Sequence, residues 1–596
     1  MDLPLIRRLL RVRLWLTERL SPGENLVTYC WAAAVGCLGG LSGPAFRGLC
    51  DRVQWVLTDS RLPIEGAAES LVWWHRLLVP TIGGLLAGLS LHFGLRLVRN
   101  LPSADYMESV TIGDGDIPAK PTLVRILSSI FSIASGGSIG REGPMVQLAA
   151  MLSSFVGRKA RLPRARLQLI VACGAASGIA SAYNAPIGGA LFVSEIVLGS
   201  IAMATLGPLV VASAMATVVS RALMGGGPLF DVPAFQMVSP LELVSYLVLG
   251  LLAGGAAPLF LSLLDWSTKL FRRSRAPVWA QLGVGGLVVG VISVQHPFVW
   301  GNGSGALSMI LQVDWTWIAI FGLLCWKLAA TASTVGSGAV GGVFTPTLLI
   351  GGALGALFGT GAHFLFPSTT ADPHAYALVG MGAFLAGTIH APLTAILIVF
   401  DMTLSHEIIL PLMIACVVAY TVAYAVRRES IYTFGRGGRG AREEERAARL
   451  EGMVVRDLMK KDPICVSDAA RFPEIVQAFV KNRHHNLFVV GHEREFRGVI
   501  PLHEIKPHLH DPDLAKLAIA MDLLHDDFPT VHPETTLTQT LEKFSHHNGE
   551  RIPVVERGKA RTLVGSISKT DLLLTVAQAG KEENLAPSAV REPPSR

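Results

Sequence analysis

The sequence predicts an all-α polytopic membrane protein with an inverted internal repeat, followed by a soluble α/β domain. Three observations support this fold class: long apolar segments with few charges, two pairs of matching motifs inside those segments, and a change of composition near residue 435. Apolar stretches of roughly 20 residues can cross a bilayer as helices. Paired, interrupted hydrophobic segments at corresponding places of two halves point to a transporter's binding site.

The composition excludes a soluble enzyme, so no enzymatic activity is expected. Of 596 residues, 51% are hydrophobic and 16% are charged, and the mean hydropathy is +0.46. Between Arg166 and Arg221 the only charged residue is Glu195, and residues 328–371 contain none. Gly and Pro interrupt these runs, so we expect short or half-crossing helices whose free backbone groups face protein or a water-filled cavity.

Two motifs recur in the same order. Residues 174–195 align without a gap with residues 380–401, and a carboxylate, Glu195 or Asp401, closes each segment. Ahead of each segment lies a Gly-rich turn, SGGSIGREGP in the first half and SGAVGGVFTP in the second. This order predicts two structurally related halves.

Basic residues predict the orientation. Residues 1–25 are basic and amphipathic and lack a cleavage site, which predicts a cytoplasmic interfacial helix. Further basic clusters, in residues 157–166, 272–275 and 427–428, follow the positive-inside rule. We therefore expect a multi-pass protein of a bacterial-type inner membrane with both termini in the cytoplasm. The net charge of +6 needs no nucleic acid to explain it, and the seven cysteines show no metal-ligand spacing.

The apolar pattern ends near residue 434. Residues 435–452, rich in Gly, Arg and Glu, are predicted to be a linker. Residues 453–578 contain two similar α/β units, 453–510 and 518–578, in which each half would bury its apolar face against the other. Residues 579–596, rich in Pro, Glu and Ser, are predicted to be disordered.

The first Gly-rich turn predicts an anion site. In Gly140-Arg141-Glu142-Gly143-Pro144 the glycines allow backbone N–H groups to converge at the start of an apolar helix. Such N–H groups and the helix dipole attract negative charge. Glu142 would occupy this site until an anion displaces it or a proton neutralises it. The alternative is that Glu142 only caps its helix, but a carboxylate inside a membrane segment favours the functional reading.

The second Gly-rich turn lacks an acidic residue. In Gly342-Val343-Phe344-Thr345-Pro346 the N–H groups of Val343 and Phe344 would be free to bind an anion, and Phe344 would narrow the path. The alternative is a packing turn with Phe344 in the core.

These residues resemble the CLC family of chloride channels and chloride/proton exchangers. The motifs GREGP, GGVFTP, Asn184-Ala185-Pro186 and SIYT, which ends at Thr433, match its pattern in order, and the tail is similar to the paired CBS modules of many members. The resemblance implies a CLC fold over residues 26–434, with repeats of about 26–225 and 240–434. It also implies a homodimer in the bilayer with one anion pathway per subunit, and chloride and protons as partners.

The resemblance also implies roles for individual residues. Glu142 would be the external gating and proton-carrying glutamate. The hydroxyl of Tyr432 would close the inner end of the central anion site, beside the backbone of Val343 and Phe344.

Two departures from the family pattern matter. The family's GSGIP turn, whose serine is an inner anion ligand, is replaced by LPSADYME, in which Ser103 is the nearest candidate; a backbone amide could serve instead. Exchangers commonly carry an internal glutamate at the position of Ile196, which cannot titrate. Water reaching Glu142, or Glu195, could substitute, although we expect Glu195 to pair with a basic group and Asp401 to be a helix-end carboxylate.

The sequence thus leaves three functional hypotheses. The first is chloride transport, as chloride/proton antiport gated by Glu142, and the second is a voltage- or pH-gated chloride channel. The third is a nucleotide-sensing CBS module anchored by an inactive membrane domain, against which the intact GREGP and GGVFTP motifs argue.

The tail offers one nucleotide-binding pattern. Ser568 and Asp571 of the second CBS-like unit fit the pattern in which Ser/Thr and Asp hold a ribose, so an adenine nucleotide site competes with a purely structural role. No cofactor is required for transport. The histidine pairs 484–485 and 546–547 are expected to be solvated helix ends.

Overall fold

The computed structural model describes residues 24–98, 105–111, 113–232, 238–432, 453–482, 486–506, 518–545, 550–558 and 561–578. The chain divides into two compact units, Met1–Phe434 and Gly435–Arg596. The predictions for residues 1–23, the 433–452 segment, both histidine pairs and residues 579–596 lie outside the described residues.

The described part of the first unit is helical, as predicted. Its helices are α1 Glu24–Thr58, α2 Ile64–Ser70, α3 Trp73–Leu97, α4 Tyr106–Thr111, α5 Ala119–Ala134, α6 Glu142–Lys159, α7 Arg164–Tyr183, α8 Pro186–Phe192, α9 Met203–Met224, α10 Glu242–Arg273, α11 Val278–Gln295, α12 Ser304–Gln312, α13 Trp317–Gly336, α14 Phe344–Leu365, α15 Pro373–Ile389, α16 Pro392–Thr403 and α17 Ile409–Val426.

Nine helices of the described chain are long and apolar enough to cross a membrane. They are α1, α3, α7, α9, α10, α11, α13, α14 and α17. Between them lie shorter apolar helices, notably α8 and α16, each of which begins at a proline. Proline is tolerated there because the first residues of a helix have no intrahelical acceptor for their N–H groups.

The two halves repeat each other in backbone conformation. Helices α6, α7 and α8 correspond to α14, α15 and α16 in order along the chain. Asn184 and His390, which end α7 and α15, both adopt the left-handed conformation, with φ of 57° and 58°. Gly136 and Gly338, in the two Gly-rich turns, have φ of 96° and 92°. The sequence repeat is therefore a repeat of structure.

The carboxylates that close the two repeat segments cap each other's helices. Glu195 accepts hydrogen bonds at Oε2 from the Thr394 N–H (2.8 Å) and the Thr394 hydroxyl (2.6 Å), at the start of α16. Asp401 accepts at Oδ2 from the N–H groups of Ile187 (3.0 Å) and Gly188 (2.9 Å), at the start of α8. The expected pairing of Glu195 with a basic group is therefore wrong, because the free N–H groups of a helix N-terminus satisfy the carboxylate instead.

A loop from the second half supports the first Gly-rich turn. The Gly301 N–H donates to the Gly136 carbonyl (3.2 Å), and the buried Trp300 ring lies against the Gly136 Cα. Lys327, fully buried, donates from Nζ to the carbonyls of Val299 (3.0 Å) and Gly301 (2.9 Å). Backbone carbonyls thus replace the water that a buried ammonium loses.

The second unit contains two small α/β layers. Its elements are β1 Cys465–Ser467, α18 Phe472–Asn482, β2 Asn486–Val490, β3 Phe496–Pro501, α19 Leu502–Ile505, α20 Ala520–Leu523, α21 Leu537–Ser545, β4 Arg551–Val555, β5 Leu563–Ser568 and α22 Lys569–Gln578. In the first sheet β1 pairs with β2 in parallel and β2 with β3 antiparallel; β4 and β5 form an antiparallel pair.

The two halves of the second unit share a core. Phe488, Phe496 and Val499 from the first half pack in one buried cluster with Val555 and Leu563 from the second. Buried strand residues of both halves supply these side chains, so each half covers an apolar face of the other.

We predict that Gly136→Ala destabilises the protein more than Gly338→Ala does. Both substitutions place a Cβ at positive φ, which costs about 1–2 kcal/mol. Only at Gly136 would the Cβ collide with a neighbour, the Trp300 ring, whereas at Gly338 the nearest atom outside the turn is a Leu282 methyl carbon at 3.8 Å. Thermal unfolding of the detergent-solubilised protein measures the difference. Equal unfolding midpoints would contradict the packing of Trp300 on this turn.

Candidate functional site

The two Gly-rich turns meet as a short antiparallel pair. The Gly140 N–H donates to the Gly342 carbonyl (2.6 Å), and the Gly342 N–H donates to the Gly140 carbonyl (2.9 Å). A Cβ on either glycine would collide with the Glu142 carboxylate. Glycine is therefore required at both positions for the carboxylate to lie between the turns.

Glu142 is the first residue of α6 and is 5% exposed. Its Oε1 accepts hydrogen bonds from the N–H (3.1 Å) and the hydroxyl of Thr345, in the first turn of α14. Its Oε2 is buried without a hydrogen-bond partner among the described residues. The carboxylate of one repeat thus lies at the helix N-terminus of the other, and it is only half satisfied.

Further backbone N–H groups at the starts of α6 and α14 have no acceptor among the described residues. Within the described chain, the N–H groups of Arg141 and Gly143 at the start of α6, and those of Val343 and Phe344 at the start of α14, donate to no protein acceptor. Each helix adds the positive end of its dipole. The arrangement can therefore hold an anion where the Glu142 carboxylate now lies.

Four aromatic rings pack against one another beside the site. The Phe344 ring, 3% exposed, lies 4.8 Å from that of Tyr183 and 6.3 Å from that of Phe192. Phe192 in turn meets Tyr432 edge to face at 5.4 Å. The Tyr183 hydroxyl lies 3.3 Å from the Thr345 hydroxyl, so a chain of two hydroxyls ends on Glu142.

The position of Tyr432 is held by a backbone hydrogen bond of the preceding residue, Ile431. The Ile431 N–H donates to the Thr388 carbonyl (3.0 Å) at the end of α15. Glu142 and Asp105 are the charges that act on the Tyr432 hydroxyl. Tyr432 is therefore on the same side of the molecule as Phe192 and within electrostatic range of the carboxylate.

The structure brings together most of the residues that the sequence singled out, but not all. Gly140, Glu142 and Gly143 lie against Gly342, while the Arg141 side chain lines a separate cavity. Ser103 lies outside the described residues. Ile196 is half-buried in a π-helical turn, Val193–Val197.

Three side chains of the site were missed from the sequence: Thr345, Tyr183 and Phe192. Thr345 stands inside GGVFTP and Tyr183 directly precedes the Asn184-Ala185-Pro186 segment, so proximity to a motif was the available signal. Phe192 had none, because apolar residues fill that segment throughout.

In the second unit, Ser568 ends β5 and Asp571 lies in the first turn of α22. The Ser568 hydroxyl accepts from the Thr570 N–H (3.2 Å), and Asp571 lies 3.4 Å from the Lys460 ammonium. The two predicted ribose ligands are thus close in the fold and both engaged in local contacts.

Comparison with known proteins identifies the family. The family model described as "Voltage gated chloride channel" matches residues 83–424, more than half of the chain. The chain belongs to the voltage-gated chloride channel (CLC) family. Residues 455–511 and 520–577 match the CBS domain. The resemblance stated from the sequence is confirmed, and so is a CLC-type function in chloride transport.

Relatives and solved structures agree. The chain is 50% identical over 405 residues to a putative ClcB-like chloride channel protein of Ralstonia nicotianae, covering 67% of this chain and 94% of the relative. It is 37% identical over 406 residues to the voltage-gated ClC-type chloride channel ClcB of Escherichia coli, covering 67% and 96%.

Among solved structures, a slow cyanobacterial Cl⁻/H⁺ antiporter matches with a TM-score of 0.61 and 26% identity, covering 68% of this chain and 96% of that one. A eukaryotic CLC transporter matches with a TM-score of 0.59 at 19% identity over 91% and 97%. The predicted fold class, a CLC membrane domain followed by a CBS pair, is confirmed.

We predict that Thr345→Val tightens chloride binding, whereas Thr345→Ser leaves it near that of the unmodified protein. Valine removes the hydroxyl that holds Glu142 Oε1 while keeping the side chain's shape, and a hydrogen bond to a charged group contributes about 1.5–3 kcal/mol. The carboxylate then competes less well with chloride for the same N–H groups.

Isothermal titration of the detergent-solubilised protein with chloride measures this change. Weaker chloride binding in the valine variant would mean that the hydroxyl holds the anion itself.

Proposed function

We propose that this protein exchanges chloride for protons across the membrane, with Glu142 acting as both gate and proton carrier. The observation that carries the proposal is the position of the Glu142 carboxylate at the N-terminus of α14, bonded to the Thr345 N–H. A chloride ion that binds the N–H groups of Val343 and Phe344 must compete with this negative charge. Carboxylate and anion then occupy the site in alternation.

Protonation favours release of the carboxylate from the site. Ionised Glu142 is held by charge-assisted hydrogen bonds from Thr345 and by the dipoles of two helices. The neutral acid loses most of that attraction. Its Oε2, which has no hydrogen-bond partner in the described part of the chain, is free to carry the proton. Proton binding and chloride binding thus favour the same state, with Glu142 displaced from the N–H groups.

The inner part of the proton path differs from that of exchangers with an internal glutamate. Ile196 cannot carry a proton, and both oxygens of Glu195 accept hydrogen bonds from α16, as its cap. We therefore propose that water delivers the proton to Glu142 from the side of Tyr432. The exposed Asp105, one of the two charges that act on Tyr432, would attract cations to that side.

The inner chloride ligands form part of the same proposal. The Tyr432 hydroxyl would close the inner end of the anion site, and Ser103 would supply the second inner hydroxyl. We also propose a homodimer in a bacterial-type inner membrane with cytoplasmic termini, one pathway per subunit, and repeats spanning about 26–225 and 240–434.

A chloride channel is the competing function, and two observations favour it. Ile196 removes the internal proton site, and the relative from E. coli is named a voltage-gated ClC-type chloride channel. The similar cyanobacterial structure is described as a slow Cl⁻/H⁺ antiporter, which favours exchange. The two functions differ in one measurable property: an exchanger moves protons together with chloride, and a channel does not.

We predict that a chloride gradient drives uphill proton movement in reconstituted liposomes, and that Glu142→Gln abolishes it while chloride flux continues. Glutamine has nearly the shape of glutamate but neither charge nor a titrating proton. The matched control is Glu195→Gln, which changes a carboxylate that caps a helix and is expected to retain proton coupling. A pH electrode and a chloride electrode record both fluxes. Chloride movement without linked protons in the unmodified protein would assign it as a channel.

We further propose that the CBS pair binds an adenine nucleotide through Ser568 and Asp571. The start of α22 beside these residues suits an anionic or hydroxyl-rich ligand, and the exposed Lys460 next to Asp571 could face a phosphate. The alternative is that the CBS pair has a purely structural role and binds no nucleotide.

The expected result is that AMP or ATP at millimolar concentration raises the unfolding midpoint of the full-length protein, because a ligand that binds the folded state stabilises it. Asp571→Ala should abolish the increase, and Glu504→Ala, at the corresponding position of the first unit, should retain it. An unchanged midpoint with either nucleotide would refute the site.

A further inference from the structure

Arg47 is a charged residue inside a membrane-spanning helix, and it has no partner among the residues that the structure describes. It lies in α1, is half-buried, and makes no ion pair or hydrogen bond with any described residue. The charges that act on it include Arg141, which repels it, and Asp51, one turn along the same helix. A guanidinium removed from bulk water needs a counter-charge, and a charge within a membrane segment is functional by default.

Arg47 lines a cavity of about 780 Å³ whose wall contains four arginines. These are Arg47, Arg52, Arg61 and Arg141. Arg61 is held over the Trp55 ring, at 5.8 Å from its centroid, and it too makes no ion pair with a described residue. The arginines come from α1, from the chain after it, and from the turn before α6, so the fold assembles the cluster.

The carboxylates of the cavity do not neutralise these four charges. Asp51 and Glu65 are the acidic residues in its wall. Glu65 is 5% exposed and accepts the Gly305 N–H (3.2 Å) at Oε1. Four cationic groups therefore face two carboxylates, one of them already engaged, and the cavity is net positive.

We propose that this cavity is a binding site for a multivalent oxyanion, distinct from the anion site at Glu142. The planar guanidinium fork matches the paired oxygens of phosphate-type and carboxylate ligands. A volume of about 780 Å³ is in the range of small-molecule sites and far exceeds what a single halide fills.

The position of the cavity gives the bound oxyanion a role. Arg141, one of its four arginines, directly precedes Glu142, so the cavity adjoins the start of α6. An oxyanion on Arg47 and Arg141 repels chloride that approaches Glu142 from this side. The site therefore inhibits transport when it is occupied.

The test uses inorganic pyrophosphate and the full-length protein in phosphatidylcholine vesicles. Pyrophosphate on both faces should slow chloride efflux, relative to isethionate at the same ionic strength. Arg47→Gln and Arg61→Gln should each raise the half-inhibitory concentration about tenfold, as expected for a lost charge-assisted hydrogen bond. Arg273→Gln, the same change of charge at the end of α10, should leave it unchanged. Inhibition equal to that by isethionate, or equal in all variants, would overturn the proposal.

A binding measurement makes the test independent of transport. Pyrophosphate should raise the unfolding midpoint of the detergent-solubilised protein, and Arg61→Gln, which changes an exposed side chain, should remove the increase. No increase in the unmodified protein would also overturn the proposal.

A second vesicle composition distinguishes the source of the phosphate group. Vesicles that contain phosphatidylglycerol are expected to behave like phosphatidylcholine vesicles. If they slow efflux without pyrophosphate and Arg61→Gln restores it, the ligand is a lipid headgroup and the free oxyanion is excluded.

Discussion

The membrane unit depends on one interaction, a carboxylate of one repeat lying at the helix N-terminus of the other. Glu142 occupies such a position at the start of α14, where Thr345 binds one oxygen and no described group binds the second. An unsatisfied buried acceptor costs about 1–3 kcal/mol, and more when it is charged. Under the proposed exchange, this unsatisfied oxygen is what makes the bound carboxylate weak enough for an anion to displace.

A carboxylate of one repeat accepts hydrogen bonds at a helix N-terminus of the other in three places, and the number of bonds differs. Glu195 caps α16 with both oxygens engaged, and Asp401 caps α8 through two N–H groups. Each of these two carboxylates accepts two or more hydrogen bonds from the first turn of a helix in the other repeat. At Glu142 one carboxylate oxygen has no hydrogen-bond partner among the described residues, and the carboxylate fits between the turns only because Gly140 and Gly342 have no Cβ. Among these three contacts, the proposed exchange requires only that of Glu142 to break and re-form.

Much of this site could be predicted from the sequence, because its chemistry is carried by backbone. Only glycine fits at positions 140 and 342, because any Cβ there would collide with the Glu142 carboxylate. Glycine before each helix and proline in its first turn mark the helix starts at Glu142 and Phe344. Local motifs therefore located the N–H groups. Thr345 escaped prediction because its contact with Glu142 joins positions 203 residues apart. Glu195 was assigned a basic partner because sequence reasoning looks for opposite charges and overlooks the free N–H groups of a distant helix.

The central claim is that chloride and the Glu142 carboxylate compete for one place. Anomalous diffraction from bromide-soaked crystals of the unmodified protein and of Glu142→Gln tests it most directly. The account predicts a bromide peak beside the N–H groups of Val343, Phe344 and Thr345 in the glutamine variant, and a weak or missing peak there when the ionised carboxylate is present. Bromide at that position with the carboxylate still bonded to Thr345, or no bromide there in the variant, would contradict it.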